Sequence, residues 1–263
     1  MIAAATLGLG LLIGLSLGAL GGGGSVLTVP ALVYVVGQDA RAATTSSLFI
    51  VGITSVIAAL GHARSGRVRW GVGVVFGVTG IAAGFAGTAA NQLVDPDVLL
   101  LAFAGVVVVA AAGMLATSRD EGPAPQEGRA PQAARRWTPG RIGRVVGAGL
   151  LVGFMTGFFG VGGGFVIVPA LTLALGMSMP QAVATSLVVI SINSAGALLA
   201  RAGTAHFDWA VIIPFTLAAV AGSLGGKVVA DRVSGATLTR AFAVLLIAVA
   251  VYTAVSSLVS LLG

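Results

Sequence analysis

The sequence predicts an all-α polytopic membrane protein made of two homologous repeats. Apolar side chains make up 57% of the 263 residues and charged side chains only 8%, whereas soluble domains carry roughly 25% charged residues. The mean hydropathy is +1.06, which predicts that most of the protein surface contacts a lipid bilayer. This excludes the soluble enzyme classes. The net charge of +6 is typical of arginine-rich cytoplasmic loops and does not indicate nucleic-acid binding.

The two halves of the chain repeat one another at a constant offset of 139 residues. From Gly8 to Gly37, 14 of the 30 positions are identical to those from Gly147 to Gly176, and the alignment needs no gap. Chance similarity between apolar sequences does not readily keep large residues in one register, so we interpret the match as an internal duplication. Further pairs at the same offset are Pro30 with Pro169, Trp70 with Trp209, Phe76 with Phe215 and Phe103 with Phe242.

The duplication divides the chain into two transmembrane repeats, residues 1–118 and 145–263, and a linker, residues 119–144. From Ser118 to Arg144 the chain contains six Arg and four Pro and almost no large apolar residue. This composition is typical of a solvated, disordered segment. Each repeat contains five apolar segments, which in the first half are residues 2–20, 25–37, 42–61, 70–90 and 98–117.

The second segment of each repeat is too short to cross a bilayer. It has 13 residues in each half, 25–37 and 164–176, whereas a crossing helix needs about 20. If it continues the first helix, each half crosses four times and the halves run parallel. If the first two segments instead form a hairpin followed by three transmembrane helices, the halves are inverted. The inverted topology leaves only Arg41 and Arg201 outside the cytoplasmic side, so we favour it.

Glycine runs mark the tips of both predicted hairpins, Gly-Gly-Gly-Gly-Ser at residues 21–25 and Gly-Val-Gly-Gly-Gly at residues 160–164. Because hydrocarbon cannot satisfy free backbone N–H and C=O groups, such breaks lie where protein or a water-filled cavity surrounds them. The helix after each tip begins with free N–H groups and a positive dipole end, which together bind anions. We therefore predict substrate-binding residues at both tips, near the membrane midplane. They are Gly22, Gly23, Gly24, Ser25, Gly162, Gly163 and Gly164.

The chain resembles the TauE/SafE family of sulfite exporters. The resemblance covers nearly the whole chain, and its most specific part is a glycine tip followed after four residues by a proline, Pro30 in one half and Pro169 in the other. The second copy departs from the first at Val161, which corresponds to Gly22. The resemblance implies a permease for sulfur-containing or organic anions, such as sulfite or sulfonates.

Hydroxyl-bearing residues begin the third segment of each repeat, where they can donate to an oxyanion without bringing charge into the membrane. Asn193 and its repeat partner Thr54 lie further along, about 18 Å from the segment start at 1.5 Å per residue, which is near mid-bilayer. The alternatives are hydroxyls bonded to their own helix and an Asn that joins neighbouring helices. The candidate substrate contacts are Ser46, Ser47, Thr185, Ser186 and Asn193.

All eight acidic residues fall in loops or at segment ends, which argues against a cation antiporter or a buried metal site. The chain has no cysteine, and we expect His62 and His206 to be solvated residues at the membrane interface. The glycine tips lack the Gly-Lys-Ser/Thr ending of a phosphate-binding loop. We therefore expect no metal, no cofactor, no nucleic-acid partner and no enzymatic activity.

These features support the hypothesis of an anion permease in the inner (plasma) membrane with its linker in the cytoplasm. An inside-negative potential favours anion export by about 2.3 kcal/mol per charge per 100 mV. Pro30 and Pro169 are the predicted pivots of alternating access. Two alternatives stay open: a channel for the same anions, and a non-transporting scaffold that uses its glycines only for helix packing.

Overall fold

The computed structural model describes residues 2–94, 96–120, 138–159, 164–201 and 207–262. Within these ranges the fold is all-helical and has no strand, which confirms the predicted fold class. The helices in chain order are α1 (Ile2–Leu20), α2 (Gly23–Tyr34), α3 (Ala40–Ala63), α4 (Trp70–Asn91), α5 (Pro96–Asp120), α6 (Pro139–Phe159), α7 (Gly164–Pro169), α8 (Met179–Ala200), α9 (Trp209–Arg232) and α10 (Gly235–Leu262). A π-helical segment, Ala170–Ala174, directly continues α7.

The five helices of each half follow the predicted apolar segments in order. The two short segments form short helices: α2 has 12 residues, and α7 with its π-helical continuation ends at Ala174. The helix α6 begins at Pro139, within the range predicted as linker. Residues 121–137 of that linker lie outside the described residues, so its predicted disorder stays a prediction.

The protein is an integral multi-pass membrane protein. Among the described residues, six helices are long and apolar enough to cross a membrane, namely α3, α4, α6, α8, α9 and α10. Their starts carry polar or aromatic residues that suit an interface: Trp70 and Trp209 each begin a helix and are 48% exposed. Asp39 and Asp208 cap α3 and α9 by accepting hydrogen bonds from backbone N–H groups of the first turn, which satisfies donors that a helix start leaves free.

Helices of one half pack against helices of the other half, and the pairs follow a symmetric pattern. The first helix of each half packs along the fourth helix of the other, so that α1 contacts α9 and α6 contacts α4. Two further pairs join equivalent helices, α3 with α8 and α5 with α10. Each half therefore completes its core with elements of the other, and neither has a core that is separate from its partner's.

Glycines permit the two equivalent seams between the halves. In the seam of α1 with α9, a Cβ on Gly14 would overlap the carbonyl oxygen of Ala219. In the seam of α4 with α6, a Cβ on Gly153 would overlap the carbonyl oxygen of Gly80. These are backbone-to-backbone contacts of the small-residue type that joins helices in membranes. One turn further along, Gly18 matches the Ser223 carbonyl oxygen and Gly157 matches that of Gly84 in the same way, so the helices of each seam run parallel.

The equivalent helices α3 and α8 run antiparallel. Gly52, midway along α3, faces Ser194 on α8, with an ideal Cβ 3.1 Å from the Ser194 Cβ. Thr45, near the start of α3, lies 3.4 Å from a guanidinium nitrogen of Arg201 at the end of α8. Repeats related by an axis along the membrane normal would hold equivalent helices parallel, so this crossing supports the predicted inverted arrangement, which stays a prediction.

One histidine prediction is wrong. We expected His62 to be solvated at the membrane interface, but its side chain is 1% exposed. Its Nε2 atom lies 3.0 Å from the carbonyl oxygen of Gly18, on a different helix. The ring is buried because α3 ends against α1 and α9, a packing that hydropathy along the chain does not reveal. The other histidine, His206, lies outside the described residues.

Candidate functional site

The first glycine tip reverses the chain between α1 and α2. Gly21 adopts a φ of 70°, a left-handed conformation that favours glycine, and its N–H donates to the Leu17 carbonyl at 2.8 Å. The chain then packs back on itself, since a Cβ on Gly24 would lie 2.8 Å from the Leu17 Cβ. The first two segments thus form a helical hairpin, and the alternative in which the short segment continues the first helix is not what the structure has.

The start of α2 presents backbone N–H groups at this tip. Its N-cap is Gly22, which provides no side-chain cap within the described structure, so the N–H groups of the first turn depend on other partners. Ser25 donates its hydroxyl proton to the Gly22 carbonyl at 2.7 Å, and Thr28 donates to the Gly24 carbonyl at 3.1 Å. In this geometry the Ser25 hydroxyl stiffens the tip, and it must rotate to donate to a ligand.

The two hairpins meet at their tips. A Cβ on Gly22 would overlap the carbonyl oxygen of Gly164, the first residue of α7, and a Cβ on Gly164 would overlap the Ser25 hydroxyl oxygen. Three of the predicted site residues are therefore in direct contact, although they lie about half the chain apart. Gly162 and Gly163 lie outside the described residues.

The second hairpin departs from regular α-helix directly after its proline. The helix α7 ends at Pro169, and residues 170–174 are π-helical. The Thr172 hydroxyl donates to the carbonyls of Val168 and Pro169, at 3.1 and 3.0 Å. Short π-helical segments are rare and concentrate at functional positions.

The structure places Ser186 at the first tip but separates it from its repeat partner. A Cβ on Gly21 would overlap the Ser186 hydroxyl oxygen, which itself donates to the Val183 carbonyl at 2.8 Å. Its partner Ser47, on α3, donates to the Thr44 carbonyl at 2.8 Å. Because α3 and α8 are antiparallel, Ser47 and Ser186 lie toward opposite ends of this helix pair.

The neighbouring hydroxyls, Ser46 and Thr185, are both fully buried but differ in their partners. Thr185 Oγ1 accepts a hydrogen bond from the Arg69 backbone N–H at 3.1 Å and so anchors the loop before α4. Ser46 Oγ has no hydrogen-bond partner in the described part of the chain. Buried polar atoms of this kind are uncommon in folded proteins, so Ser46 is a hydroxyl with capacity left for a ligand or a water.

Further buried polar atoms without described partners lie near the crossing of α3 and α8. They are Thr54 Oγ1, Ser55 Oγ and Asn193 Oδ1. Asn193 lies beside the glycine seam, with its Oδ1 3.7 Å from an ideal Cβ on Gly80. Ser55 and its repeat partner Ser194 were not among the residues predicted from the sequence, although their pairing at the offset of 139 was a signal that could have identified them.

Among the described residues, an ion pair joins α9 to the loop between α3 and α4. Asp231 near the end of α9 pairs with Lys227 at 2.6 Å and with Arg67 of the loop between α3 and α4. A cavity of about 590 Å³ at the base of the second hairpin is lined in part by Arg141 and Arg144. In the described residues no group of three or more His, Asp or Glu side chains could hold a metal ion.

In each half a short helix follows a glycine-rich segment of the sequence, and the two short helices meet where Gly22 contacts Gly164, inside a multi-pass helical protein. Discontinuous helices of this kind are typical of the class of membrane transporters. A model of the sulfite exporter TauE/SafE family matches residues 6–253. The chain belongs to the TauE/SafE family.

Several relatives carry transporter names. A probable membrane transporter protein of Xylella fastidiosa is 34% identical over 255 residues, which cover 94% of this chain and 93% of that protein. One of Methanocaldococcus jannaschii is 28% identical over 196 residues, covering 72% of this chain and 68% of the relative. The probable membrane transporter protein YunE of Bacillus subtilis is 25% identical over 244 residues, covering 83% and 84%. No solved structure gives a significant match to the chain.

Proposed function

We propose that this transporter exports small oxyanions, such as sulfite or sulfonates, and binds them at the paired glycine tips. The observation that carries the proposal is the direct contact of Gly22 with Gly164 beside the Ser25 hydroxyl. Backbone breaks of this kind survive in a membrane only where protein or a water-filled cavity surrounds them. A contact between two such breaks is therefore a natural place for a polar substrate to pass.

The chemistry of the tips suits an anion. The first turn of α2 offers backbone N–H donors at the positive end of a helix dipole, and Gly22, Gly23 and Gly24 have no side chains of their own to cover these donors. By analogy with the first tip, Gly162, Gly163 and Gly164 supply the second set of donors. Neutral donors attract an oxyanion and avoid the cost of a permanent charge inside the membrane.

Side-chain donors line the route on either side of the tips. In the proposed path Ser186 contacts the anion at the first tip. Ser46 and Ser47 contact it nearer the other end of the pair formed by α3 and α8. Asn193 acts near the crossing of α3 and α8, where its unpartnered amide oxygen implies a neighbouring donor such as water. The Thr185 hydroxyl serves mainly to anchor the loop that ends at Arg69.

Alternating access requires a hairpin that can change shape. The π-helical segment after Pro169 has hydrogen bonds that differ from those of the neighbouring turns, and α2 contains Pro30 at the matching position. Proline removes one helix hydrogen bond, which lowers the cost of bending there. The proposed motion is a rocking of these hairpins between two inverted repeats. In the proposed topology the protein lies in the plasma membrane with its linker in the cytoplasm. A membrane potential that is negative inside then favours export of an anion.

The test is efflux of labelled sulfite from proteoliposomes, with Gly23→Ala as the tip variant. A Cβ on Gly23 would lie 2.6 Å from the end of the flexible Leu245 side chain and 3.6 Å or more from Leu20, so the fold tolerates the methyl group, which fills space at the tip. The matched control is Gly8→Ala on α1, because a Cβ there meets nothing within 4 Å. We expect saturable flux that falls at least tenfold in Gly23→Ala and stays unchanged in Gly8→Ala.

Other outcomes separate the alternatives. Flux that rises linearly with sulfite concentration indicates a channel. Folded wild-type protein that moves neither sulfite nor a simple alkyl sulfonate contradicts the proposed substrate class. Equal flux in the Gly23→Ala and Gly8→Ala variants would mean that the first tip is not part of the binding site.

A further inference from the structure

The buried imidazole of His62 has a position that the proposed transport cycle does not yet use. The residue lies in the last turn of α3 and is 1% exposed. Its Nε2 atom lies 3.0 Å from the Gly18 carbonyl oxygen of α1. Because a carbonyl only accepts, Nε2 must carry the proton in this hydrogen bond. Nδ1 has no hydrogen-bond partner within the described residues.

The Gly18 carbonyl needs a donor from outside its own helix. It lies in the last turn of α1, where the last four carbonyls of a helix have no intrahelical partner. The regular helical donor to this carbonyl would be the N–H of Gly22, but α1 ends at Leu20, and the N–H of Gly21 donates to the Leu17 carbonyl. A buried carbonyl left without a partner is costly. The His62 N–H therefore closes the end of α1 immediately before the chain turns into the first tip.

Gly18 is held on a second side as well. A Cβ on this residue would overlap the Ser223 carbonyl oxygen of α9. The last turn of α1 is thus held between the imidazole on α3 and the backbone of α9, three residues before Gly21. Since Gly21 contacts Ser186 and Gly22 contacts Gly164, the orientation of this turn determines how the first tip meets the rest of the site.

The surroundings of His62 belong to both halves of the molecule. Lys227 of α9 approaches the same turn of α3, with its Cδ 3.3 Å from an ideal Cβ on Gly61. Lys227 also pairs with Asp231, which contacts Arg67. The position equivalent to His62 in the second half is Arg201, so the sequence repeat does not provide the second hairpin with an equivalent imidazole.

We propose that His62 is a positioning residue for substrate binding, which holds the first glycine tip in place by donating its Nε2 proton to the Gly18 carbonyl. The substrate class follows from the proposed function of the tips, on which this inference rests. His62 acts through α1 and does not touch the anion.

The test uses the absence of cysteine from the chain. A single thiol is introduced as Ser25→Cys, and its rate of modification by an anionic methanethiosulfonate reagent reports access to the first tip. In this background His62→Leu removes the donor at similar volume, and His62→Gln keeps an N–H donor. Leu60→Gln is the control on the same turn, because Leu60 is 56% exposed.

We expect His62→Leu to change the modification rate about tenfold, which corresponds to about 1.4 kcal/mol, and His62→Gln and Leu60→Gln to stay within about twofold of the parent. An unchanged rate in His62→Leu, or equal rates in His62→Leu and His62→Gln, would overturn the proposal. If His62→Leu does not fold, His62→Met replaces it, and failure of both donor-free variants to fold also overturns a specific role at the tip. The thiol assay needs no substrate, so a failure of sulfite transport in the wild-type protein contradicts the proposed function without affecting this result.

Discussion

The two hairpins place a proline at the same distance from the glycine tip, yet their helices differ. In the first hairpin α2 continues through Pro30 as α-helix to Tyr34. In the second, α7 ends at Pro169 and becomes π-helical. Proline removes one N–H donor in both cases, so the proline alone does not determine the outcome. The neighbouring side chain differs: Thr172 donates to the two carbonyls before the π-helical segment, whereas its repeat partner Val33 has no hydroxyl.

The tips themselves are also unequal where they touch. The first tip contributes Gly22 and the Ser25 hydroxyl to the contact, and the second contributes the backbone of Gly164. At the repeat offset, Gly22 corresponds to Val161 and Ser25 corresponds to Gly164. The two hairpins therefore follow one sequence plan, but the residues that meet at their tips differ.

The largest expected effect comes from copying the second tip into the first with Gly22→Val. Its Cβ would overlap the Gly164 carbonyl oxygen, and backbone cannot move aside as a side chain can. We expect a loss of about 3 kcal/mol of stability, the upper range for overpacking, measured as a lower midpoint of thermal unfolding. Gly8→Val, in open space on α1, is the control. A midpoint equal to that of the control contradicts the contact between the tips.

A test of equivalence between the halves follows from the two glycine seams. Gly14→Ala and Gly153→Ala each bring a Cβ against carbonyl oxygen, of Ala219 and Gly80 respectively. We expect each to destabilise the protein by about 1–3 kcal/mol, with thermal unfolding as the measurement. Gly147→Ala is the control, since nothing lies within 4 Å of its Cβ. Destabilisation in only one half would mean that the seams are not equivalent.

Ser46 and Thr185 occupy equivalent positions and allow a comparison of smaller effects. Thr185→Val removes the acceptor of the Arg69 N–H, which should cost about 1–2 kcal/mol. Ser46→Ala removes a hydroxyl without a described partner and should leave thermal stability unchanged or slightly raised, while it lowers sulfite flux. Equal destabilisation by the two substitutions would show that Ser46 has a structural partner in the folded protein.

The smallest expected effect concerns the difference between the hairpin helices. Thr172→Val installs the residue of the first repeat and removes hydrogen bonds to two carbonyls, at a cost of about 0.5–1.5 kcal/mol. The reciprocal Val33→Thr should change stability less, because α2 is already regular. Hydrogen exchange of the amides after Pro169 is the second measurement: faster exchange in Thr172→Val is expected, and unchanged exchange would remove the hydroxyl from the explanation of the π-helical segment.

Much of the architecture follows from the sequence through simple physical constraints. Hydropathy and segment length predicted the helices, because a chain in lipid must pair its backbone within helices. The offset of 139 residues pairs Phe76 with Phe215 and Phe103 with Phe242, and all four of these rings are fully buried. Short segments after glycine runs predicted the two hairpins, because 13 residues do not span a bilayer.

Other features depend on which helices meet, and only the tertiary structure decided them. His62 is buried because α1 and α9 cover the end of α3, and no pattern along the chain encodes that meeting. Ser46 and Thr185 share one position in the repeat, yet only Thr185 faces a loop N–H. Because α3 and α8 cross antiparallel, equivalent residues such as Ser47 and Ser186 lie toward opposite ends of the helix pair. Hydroxyl residues that occupy the same position in the sequence repeat are therefore separated in space. Local sequence determines where helices form, while the contacts that build the site arise from backbone surfaces more than one hundred residues apart.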